Sequence, residues 1–475
     1  MTELTPNPQP PSQPRAFRRQ ETRRLLGWVR HGESALVVGV SGVGKSNLFL
    51  HLLDPATQAA ELGQQAADTV IARVNLHFAP DFSDRTLYSL ILGALEGLAD
   101  EGHPALAGVD RARLAELHDR LLDAGDDTLR IQRAARQAIG LVLAGPQRRL
   151  ALLFDQFDEL YRDASPRLFV NLRGLREAFK YRLAFVFFTR DVLDNLAPPD
   201  PAREELQELV ANQTLGLVAG DRADAEGLLA RIAARRGQSP MDLVVDRLFA
   251  VTGGHAGLLR AAYLSSEGED GLRALVRSEA AVDELARALV GVPAVERECR
   301  QIWRGLPLSE QSYMATLAKD ITPQPHLAAS LANLQLKGLV VAAAAPKIFA
   351  PLLAEYIAHQ PAMWRDDFVY DEARRVIIVQ NQTISLTPLQ ARLFGLLWQH
   401  RDRLVSRGDL IAAGWPHDGE QSDTYHDQSL TSEISRLRSK IEPDPDHPRY
   451  LLTVSGGGYR LNITPSPAPS SPDTI

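Results

Sequence analysis

The sequence predicts an α/β core on a parallel sheet, extended by helices and followed by a smaller α+β domain. Three observations carry that prediction. A short apolar run, Ala35-Leu36-Val37-Val38, feeds a glycine-rich segment at 39–46 and then a helical stretch with an apolar face at 47–53. Two later runs, Leu150-Ala151-Leu152-Leu153-Phe154 and Leu183-Ala184-Phe185-Val186-Phe187-Phe188, end in polar residues, as buried parallel strands do at their C-terminal edge. After Pro361 the pattern changes to short β-type runs, three helical stretches and a terminal glycine hairpin.

The first element is a strand, and the loop after it carries the chemistry. Gly39-Val40-Ser41-Gly42-Val43-Gly44-Lys45-Ser46 is a complete G-x-x-x-x-G-K-S string. Its glycines let backbone N–H groups wrap a phosphate at the positive end of the following helix, which Asn47 continues. Lys45 reaches the outer phosphates and the Ser46 hydroxyl can ligate Mg²⁺. Strand, loop and helix together imply a bound nucleoside triphosphate, taken as ATP with Mg²⁺.

Such a loop needs a metal-holding acid from another strand. The run from Arg149 ends in Asp155, which is the expected Walker B carboxylate, acting on Mg²⁺ through its water shell. Between the two motifs, 69–78 reads as a strand and 82–143 as a largely helical insert with Leu87, Leu90, Ile91 and Leu95 on one face. The strand at 182–188 ends in Thr189-Arg190, placing Arg190 where it can sense the γ-phosphate. Gln156 follows Asp155 and cannot take a proton from an attacking water, so that role passes to Asp158 or Glu159. Slow hydrolysis, or a nucleotide-held switch, is the expected behaviour.

Composition suits a large soluble protein of several domains, with 45% hydrophobic and 23% charged residues. A formal net charge of -7 argues against non-specific coating of nucleic acid while allowing a local basic patch. The one cysteine, Cys299, excludes an intramolecular disulfide, suits a reducing cytoplasm, and reads as a small core residue. The proline-rich, polar stretch at 1–14 is no secretory signal. No run has the apolar length of a membrane span, since 339–357 is broken by Pro346, Lys347 and Pro351.

These residues resemble a family. Leu153-Phe154-Asp155-Gln156-Phe157-Asp158-Glu159-Leu160 resembles the D-Q-F-E-E-L Walker B box of bacterial STAND ATPases (signal-transduction ATPases with numerous domains), an AAA+/Orc-like group. Phe187-Phe188-Thr189-Arg190 is similar to their sensor strand, and Phe17-Arg18-Arg19-Gln20-Glu21 stands where they carry a G-R-E adenine-side box, with arginine in place of the glycine. Thr252-Gly253-Gly254-His255-Ala256-Gly257-Leu258-Leu259 resembles their G-G-x-P-x-x-L lid motif, with Ala256 replacing proline. The resemblance implies that His255 either touches the β-phosphate or holds the turn. It also implies a winged helix across 302–360, with helices at 306–310 and 331–339 and a wing strand at 348–353.

In the last segment, Arg375-Val376-Ile377-Ile378-Val379 and Gln382-Thr383-Ile384-Ser385-Leu386 flank a Gln380-Asn381 turn. Thr387 caps a helix with Pro388 in its first turn, and its buried stripe is Leu389, Leu393, Phe394, Leu396 and Leu397. A second helix starts at Ser406 and a third covers 428–441, before a polar turn at 442–448 and two strands around Gly456-Gly457-Gly458. The boxes Leu386-Thr387-Pro388-Leu389-Gln390, Val405-Ser406-Arg407-Gly408-Asp409-Leu410, Gly414-Trp415-Pro416, Ile434-Ser435-Arg436-Leu437-Arg438-Ser439-Lys440-Ile441 and Thr453-Val454-Ser455-Gly456-Gly457-Gly458-Tyr459-Arg460-Leu461 resemble the OmpR/PhoB-type winged-helix DNA-binding domain. That resemblance implies double-stranded DNA as partner, with the third helix in the major groove. Gln428, Thr431, Ser432 and Ser435 would face bases; Arg436, Arg438 and Lys440 would face phosphates; Thr453 and Tyr459 belong to the wing strands. Residues 365–461 carry 12 basic and 14 acidic side chains, few for an electrostatic binder.

The full expectation is an α/β P-loop NTPase core with helical lid and winged helix, followed by a C-terminal α+β winged helix-turn-helix domain. Its divisions are a disordered tail (1–15), ATPase domain (16–201), helical lid (202–290), first winged helix (291–362), DNA-binding winged helix (363–463) and disordered tail (464–475). The function implied is an ATP-operated, cytoplasmic transcriptional regulator, with two rivals: a DNA-acting ATPase loader and an assembly protein whose winged helix recruits protein. Nucleotide-dependent homo-oligomerisation is part of the same expectation.

Overall fold

The computed structural model describes residues 17–462, apart from 146, 198–199, 238, 240–241, 324–326, 344, 361–367, 373, 380–381, 402, 416–422, 443–444, 446–447, 449 and 455–456. The expected tails at 1–15 and 464–475, the Gln380-Asn381 turn, and Ser455 and Gly456 of the hairpin therefore lie outside the described residues. The chain divides into two compact units, one made of 1–306, 313–323 and 328–359, the other of 307–312, 324–327 and 360–475.

In the first unit five strands form one parallel sheet: β1 (Ala35–Val38), β2 (Thr69–Asn75), β3 (Arg149–Asp155), β4 (Leu183–Thr189) and β5 (Thr214–Gly216), in the order β2-β3-β4-β1-β5. Both faces of β3 and β4 are covered, which is why these strands are unbroken apolar runs rather than alternating ones. Phe154, Phe157, Phe185 and Phe187 cluster beneath the end of β3 and make the floor of the site rigid. β4 lies between β1 and β3, so the ends of all three strands open on the same crevice.

The insert between β2 and β3 is helical as expected, with Asp84–Asp100, Arg111–Leu122 and Thr128–Val142 each opened by a side-chain cap from Ser83, Asp110 and Asp127. The helical lid is expected to begin at Ala202. Helix Pro201–Val210 leads into β5, which pairs with β1, so the lid helices start only at Arg222–Ala234. They continue through Asp242–Thr252, Ala256–Gly268, Asp270–Val276 and Val282–Val290 to Pro293–Arg304, where Cys299 is buried.

The winged-helix segment also differs in detail from expectation. Its helices are Leu308–Ala318 and Ala328–Leu336, and its hairpin is β6 (Val340–Val341) with β7 (Lys347–Ile348). The expected wing strand at 348–353 is mostly helix Pro351–Ala358, because Pro351 supplies the fixed φ of a first helical turn. This segment is held to the sheet: a Cβ on Gly216 would meet the Leu336 carbonyl oxygen at 1.8 Å, and Lys337 makes a buried ion pair with Asp191 at 2.5 Å.

The second unit holds β8 (Phe368–Asp371), β9 (Val376–Val379) and β10 (Gln382–Ser385) as an antiparallel sheet. β8 was not expected. Helix Pro388–Gln399 opens with a reciprocal Thr387/Gln390 capping box, and Arg407–Gly414 is capped by Ser406. The third helix, Asp423–Ile441, starts five residues before its expected position. β11 (Val405–Ser406), β12 (Leu451–Val454) and β13 (Gly458–Leu461) complete a second sheet. Gly458 has φ 150°, and a Cβ there would lie 2.0 Å from the Val405 carbonyl oxygen, so only glycine lets β11 approach β13. Leu430, Ile434, Leu437 and Ile441 pack inward with Phe394, Leu410 and Leu461.

Candidate nucleotide site and DNA-facing helix

The loop from β1 to helix Lys45–Leu53 turns through left-handed Gly42 and Gly44, which free its N–H groups to face a common centre. Lys45 folds back under it, donating from Nζ to the carbonyls of Gly39 and, at 3.0 Å, Val40. Burial lowers the Lys45 ammonium to about 8; Asp158 and Asp155 oppose that shift and Arg190 reinforces it.

One cavity of about 670 Å³ gathers most of the expected residues. Ser41, Gly42, Gly44, Lys45, Ser46 and Asn47 line it from the loop, and Asp155, Asp158 and Arg190 from the ends of β3 and β4. Gly39, Val40 and Val43 do not line it; Val40 lines a neighbouring cavity and Val43 a recess beside the loop. Ser46 and Asp155 share this cavity, a hydroxyl and a carboxylate suited to a hard, hydrated cation such as Mg²⁺.

Asp158 is buried and accepts the backbone N–H of Arg190 at 2.7 Å, which couples the two strand ends. Burial raises its carboxyl, while the Arg190 N–H and the Lys45 charge pull it back. Glu159 is exposed and does not line the cavity, so of the two acids only Asp158 is placed near the phosphates. Gln156 does line it, in a left-handed conformation at φ 56°.

His255 caps the lid turn. It is buried, its Nε2 donates to the Ser41 carbonyl at 3.0 Å, and its Nδ1 accepts the Leu258 N–H at 3.3 Å, capping helix Ala256–Gly268. Both ring nitrogens are used, which defines a neutral tautomer. Burial lowers its pKa to about 4, with the neighbouring Lys45 and Arg18 charges in the same direction. Gly257 N–H donates to the Gly42 carbonyl at 2.9 Å, so the lid turn is clipped directly to the phosphate loop.

Several residues here had not been singled out in the sequence. The lid sends Arg231, Arg235, Arg236 and Arg260 to the cavity, and helix Pro293–Arg304 adds Glu298 and Gln301. The 231/235 spacing of four along one helix was the available signal. Beside the loop, Phe17, Arg18, Asn47, Asp224, Leu228 and Ala256 enclose a smaller recess on the base side. Arg18 takes a left-handed conformation, at φ 48°. Its guanidinium donates to Val218 O at 2.7 Å and Val43 O at 3.1 Å.

In the second unit Gln428, Thr431, Ser432 and Ser435 are exposed along one face of the third helix. The basic residues behave differently from expectation. Arg436 is exposed but paired with Glu433. Arg438 donates to the Leu451 carbonyl and, at 2.7 Å, to Thr453 Oγ1; Lys440 donates to Ser385 O and Gln390 Oε1. Tyr459 is buried, its hydroxyl accepting from Arg407, which also donates to Asp427 and Thr431. Arg407 stands in the 405–410 box, which gave it no role of its own.

Known proteins divide along the same line. Residues 15–186 match the AAA ATPase domain family, and 381–461 match the family described as transcriptional regulatory protein, C terminal. The transcriptional regulatory protein KdpE of Mycobacterium tuberculosis is 36% identical over 102 residues, 22% of this chain and 43% of the relative. The sensory transduction protein RegX3 of Mycobacterium bovis is 40% identical over 91 residues, 19% of this chain and 38% of the relative. The chain thus spans less than half the length of these relatives. Among solved structures, a Walker-type ATPase of Pyrococcus abyssi is similar at TM-score 0.45 and 16% identity, covering 74% of this chain and 99% of its own. The ORC2 protein of Aeropyrum pernix is similar at TM-score 0.41 and 16% identity, covering 74% and 95%. Among the described residues no helix is long and apolar enough to cross a membrane. One polypeptide therefore joins an N-terminal domain of the AAA ATPase family to a C-terminal domain of the OmpR/PhoB-type transcriptional-regulator family.

Proposed function

We propose that this protein is a transcriptional regulator whose DNA binding is controlled by ATP and Mg²⁺ at the phosphate loop. The carrying observation is the convergence of the loop, Asp155, Arg190 and four lid arginines on one cavity in a chain that also carries a winged-helix unit. Lys45, Arg190 and the lid arginines would take the phosphate charge, with Ser46 and Asp155 holding the hydrated cation. The cation supplies charge neutralisation between the phosphates.

Phosphates entering the cavity meet residues from three places at once: the loop, the end of β4 and the lid. The lid is already clipped to the loop through His255 and Gly257, so a ligand that moves the loop moves the lid. Asp191, next to Arg190, is tied to Lys337 of the winged-helix segment, a second route from the phosphate end. Asp158 is the remaining base for water, and its carboxylate is engaged by the Arg190 N–H, which supports slow turnover. The domain divisions at 16–201, 202–290, 291–362 and 363–463 are part of this reading, with the lid start moved past β5.

Selective enrichment of genomic DNA by the whole protein, with and without ATP, tests it. Specific fragments whose recovery depends on ATP are expected. ATP-dependent capture of protein partners with no DNA enriched would favour the recruitment rival, which the internal bonds of Arg438 and Lys440 already make physically coherent.

A further inference from the structure

The nucleotide cavity does not end at the phosphate loop. Ser41, Arg190 and Gln301 also line a second cavity of about 460 Å³, whose remaining polar wall is Arg297, Arg300 and Arg304. These arginines and Gln301 share one face of helix Pro293–Arg304, at spacings of three, four and seven, while Val295, Cys299, Ile302 and Trp303 bury the other. Arg300 is paired with Glu296 on its own helix. Among the described residues Arg190, Arg297 and Arg304 have no side-chain hydrogen bond or ion pair, and no carboxylate lines this cavity.

The guanidinium groups of Arg190, Arg297 and Arg304 around one concavity repel each other, with Asp158 on the phosphate-loop side attracting Arg190 alone, in a chain whose net charge is -7. An anion with several charges removes that repulsion, and guanidinium is the side chain best matched to phosphate oxygens. In a phosphate loop the lysine marks the outer phosphates, and Arg190 stands at that end. The second cavity shares Ser41, Arg190 and Gln301 with the first and so adjoins that end. Among the described residues its walls include no aromatic ring on which a second base could stack, so a terminal phosphate fits better than a second nucleoside.

We propose that Arg297 and Arg304, with Arg190, form a subsite for a fourth phosphate, making a nucleoside 5′-tetraphosphate a preferred ligand. The inference rests on the nucleotide reading above. Calorimetry of the whole protein with Mg²⁺ compares ATP with adenosine 5′-tetraphosphate, for the parent and for the double variant Arg297→Ala/Arg304→Ala. The parent is expected to bind the tetraphosphate at least tenfold more tightly, and the variant to bind both within threefold at unchanged ATP affinity. Equal affinities in the parent overturn the subsite while leaving the ATP reading intact. So does a tetraphosphate advantage that survives in the variant, or a variant that loses ATP as well, since these residues would then not act on a fourth phosphate alone. Because Arg297 and Arg304 are exposed, ATP binding by the variant doubles as the check that it folds. A parent that binds neither ligand removes the ATP reading and the subsite together.

Discussion

The two units commit their basic side chains in opposite ways. In the first, Lys45, Arg190 and the lid arginines converge on a cavity, and burial depresses the Lys45 ammonium. In the second, Arg407, Arg438 and Lys440 hold helix to strand and sheet. The first unit thus gathers cations around a concavity, while in the second these three cations are bound within the unit and the third helix presents Gln428, Thr431, Ser432 and Ser435. Affinity for nucleotide should depend steeply on single cations, and affinity for DNA only weakly on salt.

The sharpest break of this comparison is Lys45→Ala. It removes the charge facing the outer phosphates, and ATP affinity should fall about 100-fold or more, as for a lost pair of charged hydrogen bonds. Nucleotide-free melting should hardly change. Parental affinity in calorimetry would contradict the site.

Next is Glu442→Ala in the second unit. The Glu442 carboxylate accepts the N–H groups of Tyr450 and Leu451 at 2.9 and 2.6 Å, both buried. Losing it should cost about 2 kcal/mol, read as a lower melting midpoint with unchanged ATP binding. A shift in ATP affinity instead would mean the units do not separate as described.

A smaller effect comes from pH. Lys45 titrates at about 8 when buried without phosphate, below its ordinary 10.5, and bound phosphates raise it again. Below pH 8 the amine is already charged and affinity is flat; above it binding takes up a proton, and affinity falls by up to about tenfold per pH unit. For the nucleotide-free fold the sign is reversed: between 8 and 10.5 the unfolded chain holds the extra proton, so the Lys45 contribution to stability rises with pH. Calorimetry at pH 8 in two buffers of different ionisation enthalpy measures the uptake, and none would refute the assignment.

The smallest change is Ser432→Ala on the exposed face of the third helix. It should relax preference at one base pair by about 1 kcal/mol, leaving the salt dependence untouched. Uniform weakening across DNA sequences would show that Ser432 reads the backbone.

The phosphate loop, β3 and β4 were legible because each is a continuous apolar run with its chemistry at one end. β5 was not, since three residues of a strand carry no period, and only the pairing with β1 reveals it. Pro351 was read inside a strand although its fixed φ opens a helix. His255 was recognisable as a lid residue, but the choice between phosphate contact and cap needed the Ser41 carbonyl in place. The same holds for Arg438 and Lys440. Sequence marks them as basic residues on a recognition helix, whereas their partners at Leu451, Thr453, Ser385 and Gln390 come from elsewhere in the chain. Local pattern locates charge; tertiary contacts decide whether it is free.

The most direct test of nucleotide control is the affinity of the whole protein for an enriched genomic site, measured with and without ATP, beside Lys45→Ala. The account predicts that ATP shifts DNA affinity in the parent and has no effect in the variant. DNA affinity that is indifferent to ATP in the parent, while ATP is shown to be bound, would contradict it.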